Sequence, residues 1–281
     1  MSYIDPSPTS KLGRIRVVLF DLLQEHDASD TIPTSARFLF YELVARGVIP
    51  KEKVDSRSPA HIVHTALTDL RQSGAVDWEW IVDETRRLED LTGAASVRAW
   101  VMDALKQARL DPWGGEAPLV ITESRSLAGA LRRTCDRYCV RLVSTNGQVG
   151  GFLHTDVIPV LSGGDRVLYF GDWDLCGDDI EANTRSVLEE EVGELKWERL
   201  ALTEAQVRQH RLPTIVKNDR RFSGRGGVHE AVETEALSQS LIVGILEHRL
   251  VELLPEPLED VLRREAEERL QIERLLNRGR R

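Results

Sequence analysis

Two aspartates that follow a short apolar run are the residues in this chain best suited to chemistry. The run Asp165-Arg-Val-Leu-Tyr-Phe-Gly leads to Asp172, and Asp174 stands two positions further on, shortly before Gly177. Side chains at positions i and i+2 of a strand point the same way, so both carboxylates would project from the carboxyl end of a sheet, where open α/β folds bind ligands. A hard cation such as Mg²⁺ prefers carboxylate oxygens, water and phosphate, so the pair predicts a metal site. The alternative is an ordinary solvated turn.

A third carboxylate follows another apolar run. The segment Pro118-Leu-Val-Ile-Thr-Glu123 is typical of a buried strand, and Ser124 or Ser126 would begin the helix that comes next. Glu123 therefore occupies the same kind of place as the aspartate pair and is predicted as a further metal ligand. Its alternative role is to complement the positive end of that helix.

The elements between these carboxylates predict how they meet. Val140 to Thr145 is predicted as a strand, Asn146-Gly147 as a turn, and Val149 to Leu161 as a helix that leads into the Asp172 strand. Strands alternating with helices form a parallel sheet, and the crossovers would bring Glu123 and the aspartates to one edge. The predicted fold class is therefore α/β, with a Rossmann-like parallel sheet.

These motifs resemble the Toprim domain of topoisomerases, primases and related nucleases, over roughly residues 114 to 200. The version Gly171-Asp-Trp-Asp-Leu-Cys-Gly177 is most similar to the A subunit of topoisomerase VI, its meiotic double-strand-break relatives and the nuclease subunit of Wadjet-type plasmid defence. Ala231-Val-Glu-Thr-Glu235-Ala-Leu237 is similar to the Val-Glu-x-Asp-Ala-Leu segment of those proteins, with Glu235 in place of Asp. The resemblance implies that Glu123, Asp172 and Asp174 bind Mg²⁺, or Mn²⁺ in its place.

The amino-terminal third predicts a mostly helical unit. Thr34 or Ser35 would cap a helix that Gly47 ends, and a second helix is predicted from about Ser58 to Gln72. Val76 to Val82 alternates between apolar and polar residues, which predicts a hairpin. Two helices and a hairpin form a winged helix-turn-helix, a shape that lays a helix on duplex DNA.

The topoisomerase VI family carries an Arg-x-x-Tyr/Phe-Tyr element in such a domain, and Arg37-Phe-Leu-Phe40-Tyr41 is similar to it. The resemblance implies that Tyr41 attacks DNA and that the protein is a homodimer, in which the tyrosine of one chain meets the metal of the other. A phenol with a pKa of about 10 needs a nearby cation or base to attack at neutral pH, and Arg37 lies one helical turn earlier. If Tyr41 only packs in the core, the same metal site could activate water and hydrolyse DNA.

A basic region provides candidate phosphate contacts. Between Arg208 and His229 there are six Lys or Arg residues against one Asp, which gives a local charge of +5 in a chain whose net charge is −9. This region is predicted as a flexible loop that could neutralise DNA phosphates, and the alternative is a solvated loop. The predicted DNA-binding residues are Lys217, Arg220, Arg221 and Arg225.

The length and composition of the chain predict how it divides into domains. A chain of 281 residues with 41% hydrophobic residues is long enough for two cores. The Pro- and Gly-rich segment Asp111 to Pro118 is the predicted boundary, which gives a winged-helix domain over 1–112 and a Toprim domain with C-terminal helices over 113–281. The last two helices are predicted over Glu233 to Leu254 and Leu258 to Leu276. No signal peptide or membrane-length apolar run is evident, so a cytoplasmic protein without a membrane partner is expected.

The sequence thus predicts a metal-dependent enzyme that cleaves double-stranded DNA, by tyrosine transesterification or by metal-activated hydrolysis. A strand-passing topoisomerase would need an ATPase partner in trans, so cleavage alone, in defence or repair, fits the chain better. The alternative from another class is a non-catalytic DNA-binding scaffold that acts with a partner protein. A Toprim phosphotransferase or a primase-like enzyme is a third possibility, although a winged helix is not expected in it.

Overall fold

The computed structural model of the protein describes residues 4–51, 59–82, 90–147, 151–218 and 228–278. The amino-terminal part holds α1 (Lys11–Ala28), α2 (Ala36–Ala45) and α3 (Pro59–Gln72), followed by a short 3₁₀ turn (Trp78–Trp80) and α4 (Val97–Gln107). The next elements are β1 (Leu119–Thr122), α5 (Arg125–Arg137), β2 (Arg141–Ser144), β3 (Arg166–Phe170), α6 (Leu175–Val192), β4 (Lys196–Ala201) and α7 (Glu204–Gln209). The chain continues through β5 (Ile215–Asn218), β6 (Val228–Ala231), α8 (Gln239–Leu253) and α9 (Leu258–Arg278).

A four-stranded parallel sheet organises the second part of the described chain, in the order β2-β1-β3-β4. Residues from α5 and α8, such as Leu131 and Leu246, pack on one face, while Leu153 and Leu188 pack on the other. Strands buried on both faces read as continuous apolar runs, which is the pattern in β1 and β3. The predicted α/β class with a parallel sheet is confirmed.

Helices α1, α2 and α3 form a separate hydrophobic core around residues such as Leu19, Leu39 and Leu67. Local signals set the ends of α2, because the Ser35 hydroxyl accepts a hydrogen bond from the Phe38 amide and Gly47 adopts a φ of +68° just after the helix. Phe38 of α2 belongs to the core of the sheet, so the helical unit packs directly on the sheet.

Three predicted elements differ from the structure. Val76 to Val82 does not form the predicted hairpin. Thr34 instead exchanges backbone hydrogen bonds with Trp80 and Val82 and forms a parallel bridge with Ile81. The helix predicted over Val149 to Leu161 is described from Gly151 onward, where two α-helical residues are followed by a π turn (Leu153–Val157) and a 3₁₀ turn (Ile158–Val160). Pro159 lacks the amide that a regular helix would need.

The helix predicted from Glu233 begins only at Gln239. Val232 exchanges two backbone hydrogen bonds with Trp173 instead, which holds this segment in extended form. A 3₁₀ turn (Thr234–Ala236) follows, and Ser238 then caps α8.

The basic region is also more ordered than predicted where it is described. Lys217 lies in β5, which pairs antiparallel with β6 and places Lys217 opposite His229. Arg220, Arg221 and Arg225 lie outside the described residues. Of the helices in the described ranges, not one is both long and apolar enough to cross a membrane.

Candidate functional site

The predicted metal ligands Glu123 and Asp172 meet at the carboxyl edge of the sheet. The Glu123 amide donates to the Phe170 carbonyl at 2.9 Å, which extends the pairing of β1 with β3 by one residue. The Asp172 amide then donates to Oε2 of Glu123 at 3.0 Å. Because the strands are parallel and in register, the residues that follow them come together as the sequence predicts.

A close backbone approach supports this arrangement. A Cβ atom at Gly177 would lie 2.4 Å from the carbonyl oxygen of Asp172 and 3.4 Å from Oε2 of Glu123. Glycine is therefore needed at position 177 for the first turn of α6 to lie against the Asp172 backbone. The guanidinium of Arg199, on β4, donates to the carbonyls of Gly171 and Asp172 and holds the same turn from the other side.

Asp174 has two partners within the protein that its spacing alone does not predict. Its Oδ1 accepts the Gly177 amide at 2.7 Å, so it is the N-cap of α6, and its Oδ2 accepts Nζ of Lys217 at 2.5 Å. Burial acts to raise the pKa of Asp174, but the hydrogen bonds from Lys217 and Gly177 lower it overall. Both oxygens already have protein partners, and the prediction that Asp174 binds metal stays a prediction.

Two further carboxylates join the site through the extended segment after β6. The Thr234 amide and hydroxyl both donate to Oδ1 of Asp172, at 2.8 and 3.1 Å. Glu233 and Glu235 flank Thr234, and the Ser124 hydroxyl donates to Oε1 of Glu235 at 2.6 Å. We call Glu123, Asp172, Asp174, Glu233 and Glu235 the carboxylate cluster.

Burial makes ionisation costly for several members of the carboxylate cluster. Burial and the neighbouring Asp172 raise the pKa of Glu123 to about 7. Burial also raises the pKa of Asp172 and of Glu235, whose side chain is only 1% exposed. Within the described residues, Oε2 of Glu235 is buried and has no hydrogen-bond partner. The cluster therefore favours a bound cation or a proton.

The predicted catalytic residues of α2 lie at the same site, in the same chain. Arg37 donates to Glu233 at 2.7 Å and lies 3.2 Å from Oε1 of Glu235. The Tyr41 hydroxyl donates to the same oxygen of Glu233 that Arg37 contacts. Tyr41 is only 6% exposed, and its pKa is raised by burial and by Glu233. The phenol is thus held protonated in this arrangement.

Three residues at the site were not candidates from the sequence, namely Glu233, Arg199 and Lys51, whose Nζ atom lies 5.4 Å from the centroid of the Tyr41 ring. Each reaches the site through contacts with distant parts of the chain, and no spacing pattern marks them. The one available signal is that Glu233 belongs to the segment Ala231 to Leu237, whose motif directed attention to Glu235.

We expect Glu233→Ala to destabilise the protein by about 2 kcal/mol, because it removes the acceptor for both Arg37 and Tyr41 between the helical unit and the sheet. Glu230→Ala is a matched control, since Glu230 is exposed on β6 and should change stability by less than about 0.5 kcal/mol. Urea unfolding at constant m-value measures both. Equal effects of the two variants would show that the Glu233 contacts do not join the two parts of the fold.

The described residues include no group of three or more His, Cys, Asp or Glu side chains placed to hold a metal ion. Comparisons of the chain with protein-family models, with curated proteins and with solved structures find no match. The class that fold and site define is an α/β protein with a parallel sheet and a carboxylate cluster at its carboxyl edge.

Proposed function

We propose that this protein is a metal-dependent enzyme that cleaves DNA phosphodiesters by hydrolysis. The observation that carries the proposal is the carboxylate cluster, in which Glu123 and Asp172 stand after adjacent parallel strands. Their position, and the segment that carries Glu233 and Glu235, support the resemblance to a Toprim domain of the topoisomerase VI A type. The helical unit around α2 and α3 would be the winged-helix-like part that lies on DNA.

The residues present fit a divalent cation. Within the described residues, Oε1 of Glu123 and Oδ2 of Asp172 accept no hydrogen bond, and Oε2 of Glu235 is buried without a partner. Mg²⁺ is commonly held by one or two carboxylates, with water and substrate phosphate as its other ligands. Glu123 and Asp172 would hold it, and it would supply Lewis-acid stabilisation of the phosphate and a more acidic water.

Charge balance supports the same fit. Among the described residues, the carboxylate cluster forms ion pairs with two cations, Arg37 and Lys217. These pairs involve Glu233, Glu235 and Asp174 but not Glu123 or Asp172, so a bound divalent cation would offset the charge of those two carboxylates. Anionic DNA would be repelled by the cluster without such a cation.

The buried and protonated phenol of Tyr41 favours hydrolysis over tyrosine attack. The phenol is buried, donates its proton to Glu233 and has a raised pKa. Glu233 is a weak base here: burial tends to raise its pKa, but Arg37 and the Tyr41 hydrogen bond lower it overall. Tyr41 therefore serves to join α2 to the site.

Tyrosine transesterification is the second candidate, and one observation favours it. The Tyr41 hydroxyl already lies at the carboxylate cluster and is hydrogen-bonded to a carboxylate that Arg37 orients, which is the arrangement of an activated nucleophile. In this mechanism Tyr41 would act on the site of its own chain, whereas the resemblance implies a homodimer with the tyrosine acting on the partner's site.

The experiment is cleavage of supercoiled and linear DNA with Mg²⁺ or Mn²⁺, stopped with SDS, by wild type and Tyr41→Phe. We expect free DNA ends from both proteins, with the variant retaining at least about a third of the wild-type rate, because phenylalanine keeps the packing and loses one hydrogen bond. Protein-linked ends that disappear in Tyr41→Phe would establish transesterification instead. DNA binding without cleavage under any of these conditions would favour the non-catalytic scaffold.

A further inference from the structure

Lys51 is a half-buried cation on the Tyr41 side of the site. Its Nζ atom lies 5.4 Å from the centroid of the Tyr41 ring and donates to the carbonyl of Pro213 at 3.3 Å. Pro213 precedes β5, the strand that carries Lys217. Lys51 therefore connects the segment between α2 and α3 to the hairpin beside the carboxylate cluster.

The charge of Lys51 is balanced differently from that of the other two cations. Arg37 forms ion pairs with Glu233 and Glu235, and Lys217 forms one with Asp174. Among the described residues, no carboxylate lies within ion-pair distance of Lys51. Its pKa is lowered, first by burial and also by the charge of Lys217, although Glu233 and Asp172 oppose this.

A half-buried ammonium without an anionic partner is costly, and an arriving anion would recover part of that cost. The ring of Tyr41 offsets only part of that cost as a cation–π partner. Lys51 lies close enough to Glu233, Lys217 and Asp172 for their charges to act on it. The Lys217 side chain is 36% exposed, so an anion that approaches Lys217 from solvent also comes near Lys51.

We propose that Lys51 binds a backbone phosphate of the DNA substrate beside Tyr41. The proposal rests on the proposed function and adds a residue that positions the strand next to the carboxylate cluster. One phosphate on Lys51 would hold the strand while the neighbouring phosphodiester lies at the cluster. Lys51 is a positioning residue, because its role is to fix the register of the DNA backbone relative to the carboxylate cluster.

The test is the salt dependence of binding to a short labelled duplex, measured by fluorescence anisotropy with Ca²⁺ in place of Mg²⁺, and the duplex is checked on a gel to be intact after the measurement. Each phosphate contact contributes about 0.9 to the slope of log K against log salt concentration. We expect Lys51→Met to reduce the steepness of that slope by about 0.9 and Lys51→Arg to retain it. Methionine keeps the apolar stem of the side chain and removes only the charge.

Lys196→Met is the matched control. Lys196 is exposed at the first residue of β4, at the opposite edge of the sheet, and its loss should leave the slope unchanged. An unchanged slope in Lys51→Met, with wild type binding DNA normally, would overturn the role of Lys51 and leave the proposed function standing. Wild type that fails to bind duplex DNA at any salt concentration would overturn both.

Discussion

Asp172→Asn is expected to reduce DNA cleavage by at least about 100-fold, roughly 3 kcal/mol in the barrier. Asparagine retains the oxygen that accepts the Thr234 amide and hydroxyl, so the segment after β6 stays attached. The change removes one of the two carboxylates that would hold the metal. Rates of nicking of supercoiled DNA with Mg²⁺ measure the effect, with thermal unfolding of the same samples as the test of folding.

Stability should be retained in this variant even though activity is lost. Burial raises the pKa of Asp172, so its ionised form costs free energy in the metal-free protein, and a neutral side chain avoids that cost. Asp165→Asn makes the same chemical change just before the other end of β3 and should leave cleavage unchanged. Wild-type cleavage by a folded Asp172→Asn protein would contradict the proposed site.

Gly177→Ala is expected to have the second large effect, on both folding and site geometry. The added Cβ would lie 2.4 Å from the Asp172 carbonyl oxygen. Neither atom can rotate away, because the backbone fixes the position of both. Relief requires α6 to move away from the turn that carries Asp172, at a cost of roughly 2–3 kcal/mol. We expect a lower urea midpoint and a loss of cleavage at temperatures where the protein remains folded.

Gly244→Ala is the control for that change. Gly244 lies within α8, and a Cβ there would meet no atom within 4 Å. Alanine is the better helix former, so this variant should be more stable by up to about 1 kcal/mol. If the two variants shift the urea midpoint in the same direction, the close approach at Gly177 does not constrain the fold.

Local signals account for the elements that the sequence predicted correctly. The ends of α2 follow from Ser35 and Gly47, and β1 and β3 follow from continuous apolar runs. The proximity of Glu123 and Asp172 could also be predicted, because the residues that follow adjacent parallel strands lie at the same edge of the sheet.

Contacts between distant parts of the chain account for the rest. Val232 pairs with Trp173 rather than beginning a helix, and Thr34 pairs with Ile81 rather than leaving a local hairpin. Helical or alternating periodicity cannot reveal such a partner, since the competing hydrogen bonds come from elsewhere in the fold. The same limit applies to Lys51, which reaches the site by packing on Tyr41.

Asp174 fits two sequence patterns, that of a metal ligand and that of a helix N-cap. The spacing of Asp172 and Asp174 predicts a shared ligand, yet an aspartate three residues before a helical amide is also a favoured N-cap. The structure has the cap and adds Lys217 as an ion-pair partner. Only contacts across the fold distinguish the two roles.

Titration of the metal-free protein with Mn²⁺, monitored through the electron paramagnetic resonance signal of the free ion, measures whether Glu123 and Asp172 form a metal site. We expect one Mn²⁺ site in wild type that is weakened at least about tenfold in Glu123→Gln and in Asp172→Asn, and unchanged in Asp165→Asn. Equal binding by all four proteins, or no binding by wild type, would contradict a metal site at Glu123 and Asp172.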